Sequence, residues 1–458
     1  MESFWDFSVW GTFNLFAVLL GSLLVGNVLQ KTIPLLRRSL IPTSVIGGII
    51  LILVAAVYKA VTGQVMFDTA FFGSNGTETL EVITYHTLAL GFIASTLKGS
   101  EGKMGKKRTG EIFNTGVTTV ATYLMQASVG FIITMVAAKV VPGFFPASGI
   151  LLALGYGQGT GQALNYGTIY ETDFGFVGGK SFGLTIAALG FLSACIGGVI
   201  HMNIMRRRGK LTLADPARTG TAQHQVDGEN EIPLSESIDK MTVQISLIAV
   251  CYLLAYLVMY LLGCLLPGMR SVVYGFNFLI GVLSAILVKN VLKFLKKKDI
   301  IQREYTNNFL LTRAGNFCFD LMIVAGVAAI RLDILENYWG IILILGLVGT
   351  AITYIYNRFV ARTLFPEYEQ EQFLMMYGML TGTASTGTIL LREVDSEFKT
   401  PASDNMVYQN LPAIAFGFPM MLLITMAPVR PALVLAIFLA YFAAMNVILF
   451  RKQIFKKG

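Results

Sequence analysis

The stretch LALGYGQGTGQALNYGTIYE (residues 152–171) is apolar at both ends and is interrupted in its middle by Gly, Gln and Thr. A second stretch, MMYGMLTGTASTGTILLRE (residues 375–393), has the same character. At a constant offset of 221 residues both contain the string Y-G-x-x-T-G-x-A, which starts at Tyr156 and at Tyr377. Two copies of a broken apolar segment predict an internal repeat, and the surrounding sequence shows what kind of protein contains it.

The composition around these stretches is that of a membrane protein. The chain has 458 residues, of which 54% are hydrophobic and 14% are charged, whereas an ordinary soluble protein carries about 25% charged residues. A large soluble enzyme is therefore disfavoured. A β-barrel alternates apolar and polar residues in segments of roughly ten, but here the apolar runs are continuous, as in residues 15–29 and 341–356. We predict an all-α integral membrane protein.

A membrane-spanning helix needs about 20 mostly apolar residues. This criterion predicts about eleven transmembrane helices, near residues 9–29, 40–60, 82–97, 112–140, 181–204, 241–265, 274–292, 309–330, 338–357, 408–428 and 431–450. The two broken stretches, residues 149–171 and 372–392, are predicted to be re-entrant hairpins, which enter the membrane and return to the same face.

The basic residues predict the orientation. With the N-terminus outside, 29 of the 35 Lys and Arg residues fall in cytoplasmic loops and in the C-terminal tail, as the positive-inside rule requires. Counting either hairpin as a full span would reverse the predicted side of every loop that follows it, and the basic residues would no longer be concentrated on one side. The net charge of +8 is thus explained by membrane topology, and because no basic surface carries interleaved aromatic residues, no nucleic acid partner is expected.

The spans divide the chain into two related halves. We predict a first repeat over residues 1–204, a cytoplasmic linker over residues 205–240 and a second repeat over residues 241–428. Residues 429–458 would add a further span and a basic cytoplasmic tail. Each repeat has five spans with a hairpin before the fifth, and because five is odd, the second repeat starts on the opposite face. Inverted-topology repeats of this kind occur in many secondary transporters.

The residues of the hairpins suit a binding role. Backbone that leaves helical geometry at membrane depth exposes N–H and C=O groups that must find partners. Gly allows the turn, Thr and Ser add hydroxyl groups, freed carbonyls can coordinate a cation, and a helix N-terminus can hold a carboxylate. The alternative is that small residues merely let helices pack closely, but packing alone does not require two broken segments in corresponding positions.

Four segments resemble the bacterial sodium–glutamate symporter (ESS) family. They are IPTSVIGGIIL (41–51), GYGQGTGQA (155–163), TGTASTGTI (381–389) and, more weakly, AGNF (314–317). The family's first hairpin is similar to G-G-H-G-T-G, and here Tyr156 and Gln158 replace the second Gly and the His. The resemblance implies a homodimer in the bacterial cytoplasmic membrane. It also implies an elevator-type movement of a transport domain against a scaffold, sodium as the coupling ion and an anionic amino acid as cargo.

The candidate site residues come from the hairpins and from one polar helix face. The predicted substrate-binding residues are Gly157, Gln158, Gly159, Thr160, Gly161, Gln162, Thr381, Gly382, Thr383, Ser385, Thr386 and Arg392. The predicted sodium ligands are Asn316, Asp320, Thr160 and Thr381. Asp320 has an alternative role as the structural partner of Arg313, since the two are seven residues apart on one helix face. Arg392 can equally be an anchor at the cytoplasmic end of its helix.

The sequence thus predicts a sodium-coupled symporter for glutamate or a similar small carboxylate, working by alternating access. A proton-coupled or exchange carrier for another carboxylate, using Asp320, is the alternative within transport. A channel or a membrane-embedded enzyme is less favoured. No H-E-x-x-H motif occurs in the sequence. The protein is not expected to be an enzyme, and no cofactor other than the coupling ion is expected.

Overall fold

A computed structural model describes residues 4–98, 105–211, 238–395 and 399–454 of the chain. Most of the predicted linker and the end of the basic tail lie outside the described residues. The described residues are helical and contain no β-strand. The α-helices are α1 (Phe7–Thr32), α2 (Pro34–Ser39), α3 (Thr43–Thr62), α4 (Gly76–Leu97), α5 (Lys106–Val140), α6 (Leu151–Phe174), α7 (Gly179–Arg207), α8 (Lys240–Leu265), α9 (Arg270–Gly275), α10 (Asn277–Lys297), α11 (Asn308–Ala328), α12 (Trp339–Leu364), α13 (Glu369–Thr381), α14 (Ala384–Arg392), α15 (Ala402–Tyr408), α16 (Asn410–Met426), α17 (Pro431–Leu449) and α18 (Arg451–Ile454).

Ten of the described helices are long and apolar enough to cross a membrane. They are α1, α3, α4, α5, α7, α8, α10, α11, α12 and α17. The bent pair of α15 and α16, whose axes differ by 48°, makes an eleventh candidate. Each predicted span thus lies on a helix or on this pair. Several helices extend beyond the apolar windows; α5, for example, begins at Lys106 rather than at residue 112, because a helix continues through polar residues after its apolar stretch ends.

Local sequence accounts for several helix ends. Pro42 precedes α3, and Gly63 follows it in a left-handed conformation with φ of 72°, where Gly has no steric penalty. At the start of α8 the side chain of Asp239 accepts hydrogen bonds from the backbone N–H groups of Met241 and Thr242, at 2.9 and 3.2 Å. This is an N-cap, which satisfies donors that the helix itself leaves unpaired.

The chain forms two compact units. The larger unit contains the described parts of residues 1–81, 104–220 and 323–458, and the smaller unit those of residues 82–103 and 221–322. These units do not coincide with the predicted repeats, because the smaller one combines most of α4 with helices that follow the linker. In the larger unit, α7 packs against α6, α12, α13 and α14. In the smaller unit, α8 packs against α10, and Ile93, Cys251, Ala285 and Leu311 belong to its buried core.

Candidate functional site

The first predicted hairpin contains a sharp break. Gly159 in α6 has φ of 74° and ψ of −167°, and every other residue of that helix is helical. A straight helix of this length would measure about 36 Å, yet the rings of Phe145, before α6, and Tyr170, near its end, lie 5.2 Å apart. The chain therefore reverses direction at Gly159. We call residues 151–174 the first hairpin.

The second hairpin consists of α13 and α14. They are separated by Gly382 and Thr383, neither of which is helical; the backbone of Thr383 is extended. The two arms lie side by side, because a Cβ built on Gly378 would come within 2.8 Å of the Cα of Gly387. Glycine at both positions is what allows this close approach of two backbones.

The two breaks are not at equivalent positions of the repeat. At the offset of 221 residues, Gly159 corresponds to Leu380, and Gly382 corresponds to Gly161. A leucine cannot adopt a φ of 74° without a steric penalty, so the second hairpin remains helical through Leu380 and breaks at its next glycine. Both predicted stretches thus contain a helix break, but the sequence repeat did not predict which residue of each one leaves the helix.

Gly190 of α7 is the place where the two hairpins meet. A Cβ at this position would clash with the carbonyl oxygen of Thr381 and would lie 3.3 Å from the Cα of Tyr156. Thr381 is the last residue of α13, and Tyr156 lies three residues before the break at Gly159. The ends of both hairpins thus contact one helix at one residue that has no side chain.

One turn of α5 forms hydrogen bonds with both hairpins. The hydroxyl of Tyr123 donates to the carbonyl of Gly157 at 2.9 Å, and the amide of Gln126 donates to the carbonyl of Leu380 at 2.9 Å. The same amide donates to the hydroxyl of Thr353 at 2.8 Å, while its carbonyl oxygen has no partner among the described residues. These contacts satisfy carbonyls that the helix breaks release from the normal helical pattern.

The tyrosines of the repeat motif anchor each hairpin to neighbouring helices. The hydroxyl of Tyr156 donates to the carbonyl of Gly346 on α12 at 2.7 Å, and that of Tyr377 donates to the carbonyl of Ser193 on α7 at 3.0 Å. Both side chains are fully buried. The repeated Tyr therefore serves to position the hairpins.

Buried polar atoms without partners are concentrated near the breaks. In the described part of the chain they include the Gln158 amide nitrogen, both amide atoms of Gln162 and the hydroxyls of Thr383 and Thr386. An unpaired polar atom in a buried position costs free energy unless a ligand or water satisfies it. Because the second arm of each hairpin also begins at its break, two helix N-termini, which favour anions, lie at these ends.

The remaining predicted residues are distributed over both units. Arg392 is exposed at the far end of α14, nine residues from Thr383, and its contact with the substrate stays a prediction. Asn316 and Asp320 lie on α11 within the smaller unit, and Asn316 is exposed. Thr160 and Thr381 are fully buried in the larger unit. The four predicted sodium ligands are therefore divided between the two units.

Other predicted residues lie in or beside the broken segments. Gly157, Gly159, Gly161 and Gly382 are buried in the hairpins, while Ser385 is half-buried in the first turn of α14. The described residues contain no cluster of His, Cys, Asp or Glu suited to a metal ion. Sodium is a hard cation that oxygen ligands can hold, and the polar atoms at the breaks are carbonyl, hydroxyl and amide groups.

Sequence reasoning did not identify Tyr123, Gln126 or Gly190. Gln126 had a detectable signal, since it and Asn114 are the two amides in the predicted span that α5 contains. Gly190 had none, because it is one of 46 glycines and its role depends on contacts with residues that are distant along the chain.

Comparisons with known proteins identify the family of the chain. No curated protein sequence matches the chain. The sequence profile of the sodium/glutamate symporter family matches residues 8–373, which include the first hairpin and end within α13. This is a family of multi-pass membrane transporters rather than enzymes, and it implies sodium as the coupling ion. The chain belongs to the sodium/glutamate symporter family.

Proposed function

We propose that the protein is a sodium-coupled symporter that carries glutamate or a similar small anionic carboxylate by alternating access. The observation that supports this most directly is the meeting of two broken helices at Gly190, beside buried polar atoms that have no partner. A site that binds an anion and a small cation together needs donors, acceptors and little charge of its own, and the hairpin ends have this composition.

Each part of the hairpin ends has a chemical role in this proposal. The N-termini that begin at Thr160 and Ala384 attract the substrate carboxylates, and the amides and hydroxyls of Gln158, Gln162 and Thr386 orient them. Carbonyl groups released at the breaks, together with nearby hydroxyls, coordinate sodium. A co-bound cation offsets the charge of the substrate, so the loaded site moves through the low-dielectric membrane at a lower cost than a site that holds the anion alone.

In the membrane, the two hairpins are re-entrant and approach from opposite faces, as expected if the halves of the chain are inverted repeats. The hairpins move together with α5 and α7 as a transport domain, in an elevator-type cycle. The protein is a homodimer in the bacterial cytoplasmic membrane, with its N-terminus outside and its C-terminus in the cytoplasm. These features rest on the basic-residue asymmetry, the sequence repeat and the resemblance to the family.

The proposal is tested by uptake of radiolabelled glutamate into proteoliposomes that contain the purified chain. We expect saturable uptake driven by an inward sodium gradient, with little uptake when potassium replaces sodium at the same pH. Uptake that follows a pH gradient and ignores sodium would assign the alternative, a proton-coupled carrier. Flux that does not saturate would indicate a channel. Competition by a panel of unlabelled carboxylates then identifies the preferred substrate.

A further inference from the structure

A cavity of about 420 Å³ lies in the larger unit, and its lining includes no residue of either hairpin. It is lined by α3, by the turn after α3 and by residues 328–333, which continue from the end of α11. Its walls are mainly apolar and include Ile52, Met66 and Phe67. The volume is in the range of small-molecule binding sites.

One end of the cavity carries an incompletely neutralised group of charges. Lys59 and Arg331 both contact the same carboxylate oxygen of Asp333, at 2.8 and 3.1 Å. Two cations therefore share one anion, which leaves a net charge of +1. The Nε–H group of Arg331 is buried and has no hydrogen-bond partner among the described residues. A second anionic oxygen would satisfy this donor and balance the charge, and a guanidinium group suits phosphate in particular.

The neighbouring surface of α3 indicates where such an anion comes from. Leu53, Val57 and Val61 on this helix are 59%, 64% and 81% exposed. In a membrane-spanning helix, exposed aliphatic side chains of this kind contact the acyl chains of lipids. The cavity thus combines a cationic end, apolar walls and an adjacent lipid-facing surface, which together match an amphiphile with an anionic head.

We propose that this cavity binds an anionic phospholipid. The phosphate contacts Arg331 and Lys59, the first part of an acyl chain lies against the apolar walls, and the rest follows the exposed face of α3. The net positive charge favours a lipid with a net negative headgroup over a zwitterionic one. This site is separate from the hairpin ends, and it does not depend on the proposed transport function.

The test measures how added lipids change the thermal stability of the purified full-length chain in detergent. We expect phosphatidylglycerol to raise the unfolding midpoint by roughly 3 °C or more above the effect of phosphatidylcholine. Arg331→Gln should abolish this difference, whereas Lys139→Gln, which removes an exposed lysine in the last turn of α5, should retain it. Asp333→Asn should strengthen the phosphatidylglycerol effect, because both cations lose their competing carboxylate. A merely structural ion cluster would not respond to lipid in this way.

Other outcomes would overturn the proposal. One is equal stabilisation by both lipids, and another is an unchanged phosphatidylglycerol effect in Arg331→Gln. A third is an Arg331-dependent shift of the unfolding midpoint that glycerol 3-phosphate or glutamate alone produces, which would assign the cavity to a soluble anion. Should Arg331→Gln fail to fold, photoreactive phosphatidylglycerol is cross-linked to the unmodified protein. Cross-links within residues 43–62 that unlabelled phosphatidylglycerol displaces, and phosphatidylcholine does not, would support the site, and cross-links confined to other segments would refute it.

Discussion

Gln126 shows how one buried side chain can stabilise an irregular backbone. It is fully buried in α5, and its two amide hydrogens donate to the carbonyl of Leu380 and to the hydroxyl of Thr353. Leu380 directly precedes the last residue of α13, where carbonyls no longer have a helical N–H partner. Without the amide, that oxygen would remain buried and unpaired.

The first prediction concerns this residue. Gln126→Ala should lower both thermal stability and glutamate uptake, since each acceptor left unpaired in a buried position costs about 1–3 kcal/mol. The matched control is Ser128→Ala on the same helix. Ser128 is 2% exposed and its hydroxyl has no partner among the described residues, so its removal should leave stability unchanged or slightly improved. Unfolding midpoints and initial uptake rates are the measurements. Similar losses in both variants would contradict the role assigned to Gln126.

At the scale of elements, the geometry of the hairpins depends on glycines. They let two helices approach closely, because no side chain lies between the backbones. Gly378 and Gly387 bring the arms of the second hairpin together, and Gly190 lets the ends of both hairpins contact α7. Tyr156 and Tyr377 then fix each hairpin to a neighbouring helix. The distance between the two hairpin ends is thus set by α7, which is part of neither hairpin.

The second prediction tests that spacing. Gly190→Ala adds a methyl group that must displace Thr381 or Tyr156, and overpacking of this kind costs typically 1–3 kcal/mol. Because the displacement of either residue shifts a hairpin end, we expect uptake to fall severalfold while the protein still inserts into the membrane. Gly21→Ala in α1 is the control, since nothing lies within 4 Å of a Cβ at that position. Normal transport by Gly190→Ala would remove the argument for a shared site.

For the whole molecule, the predicted orientation rests on the distribution of charge. The predicted outer side carries only Lys59, Lys139, Lys180, Arg270, Arg331 and Arg430, and the other basic residues fall on the predicted cytoplasmic side. This orientation requires eleven crossings, of which ten described helices can supply ten and the bent pair of α15 and α16, counted as one span, the eleventh. Lys139 in the last turn of α5 and Lys297 in the last turn of α10 are both exposed, and the prediction places them on opposite faces.

The third prediction uses this pair. In a Cys264→Ser background, which removes the exposed native cysteine, Lys139→Cys should react with a membrane-impermeant maleimide in intact cells. Lys297→Cys should react only after the membrane is permeabilised. The background protein alone provides the control for the remaining cysteines. The reverse labelling pattern would show that the orientation is wrong, and with it the faces from which the hairpins are proposed to enter.

The sequence by itself determined the membrane class, the helices and the positions of the two broken segments. Hydropathy, charge asymmetry and glycine content are local properties, so each can be read from a short window. It also led to the family, through motifs at residues 41–51 and 155–163 that lie within the matched region.

Only the tertiary structure decided which residues form the site. It located the breaks at Gly159 and Gly382, placed Arg392 at the far end of α14, and brought Tyr123, Gln126 and Gly190 to the hairpin ends. The physical reason is that these roles depend on close packing between residues far apart in the chain: Gly190 contacts Thr381 across 191 positions. No periodicity or local composition records such a contact, because it exists only after the helices have packed.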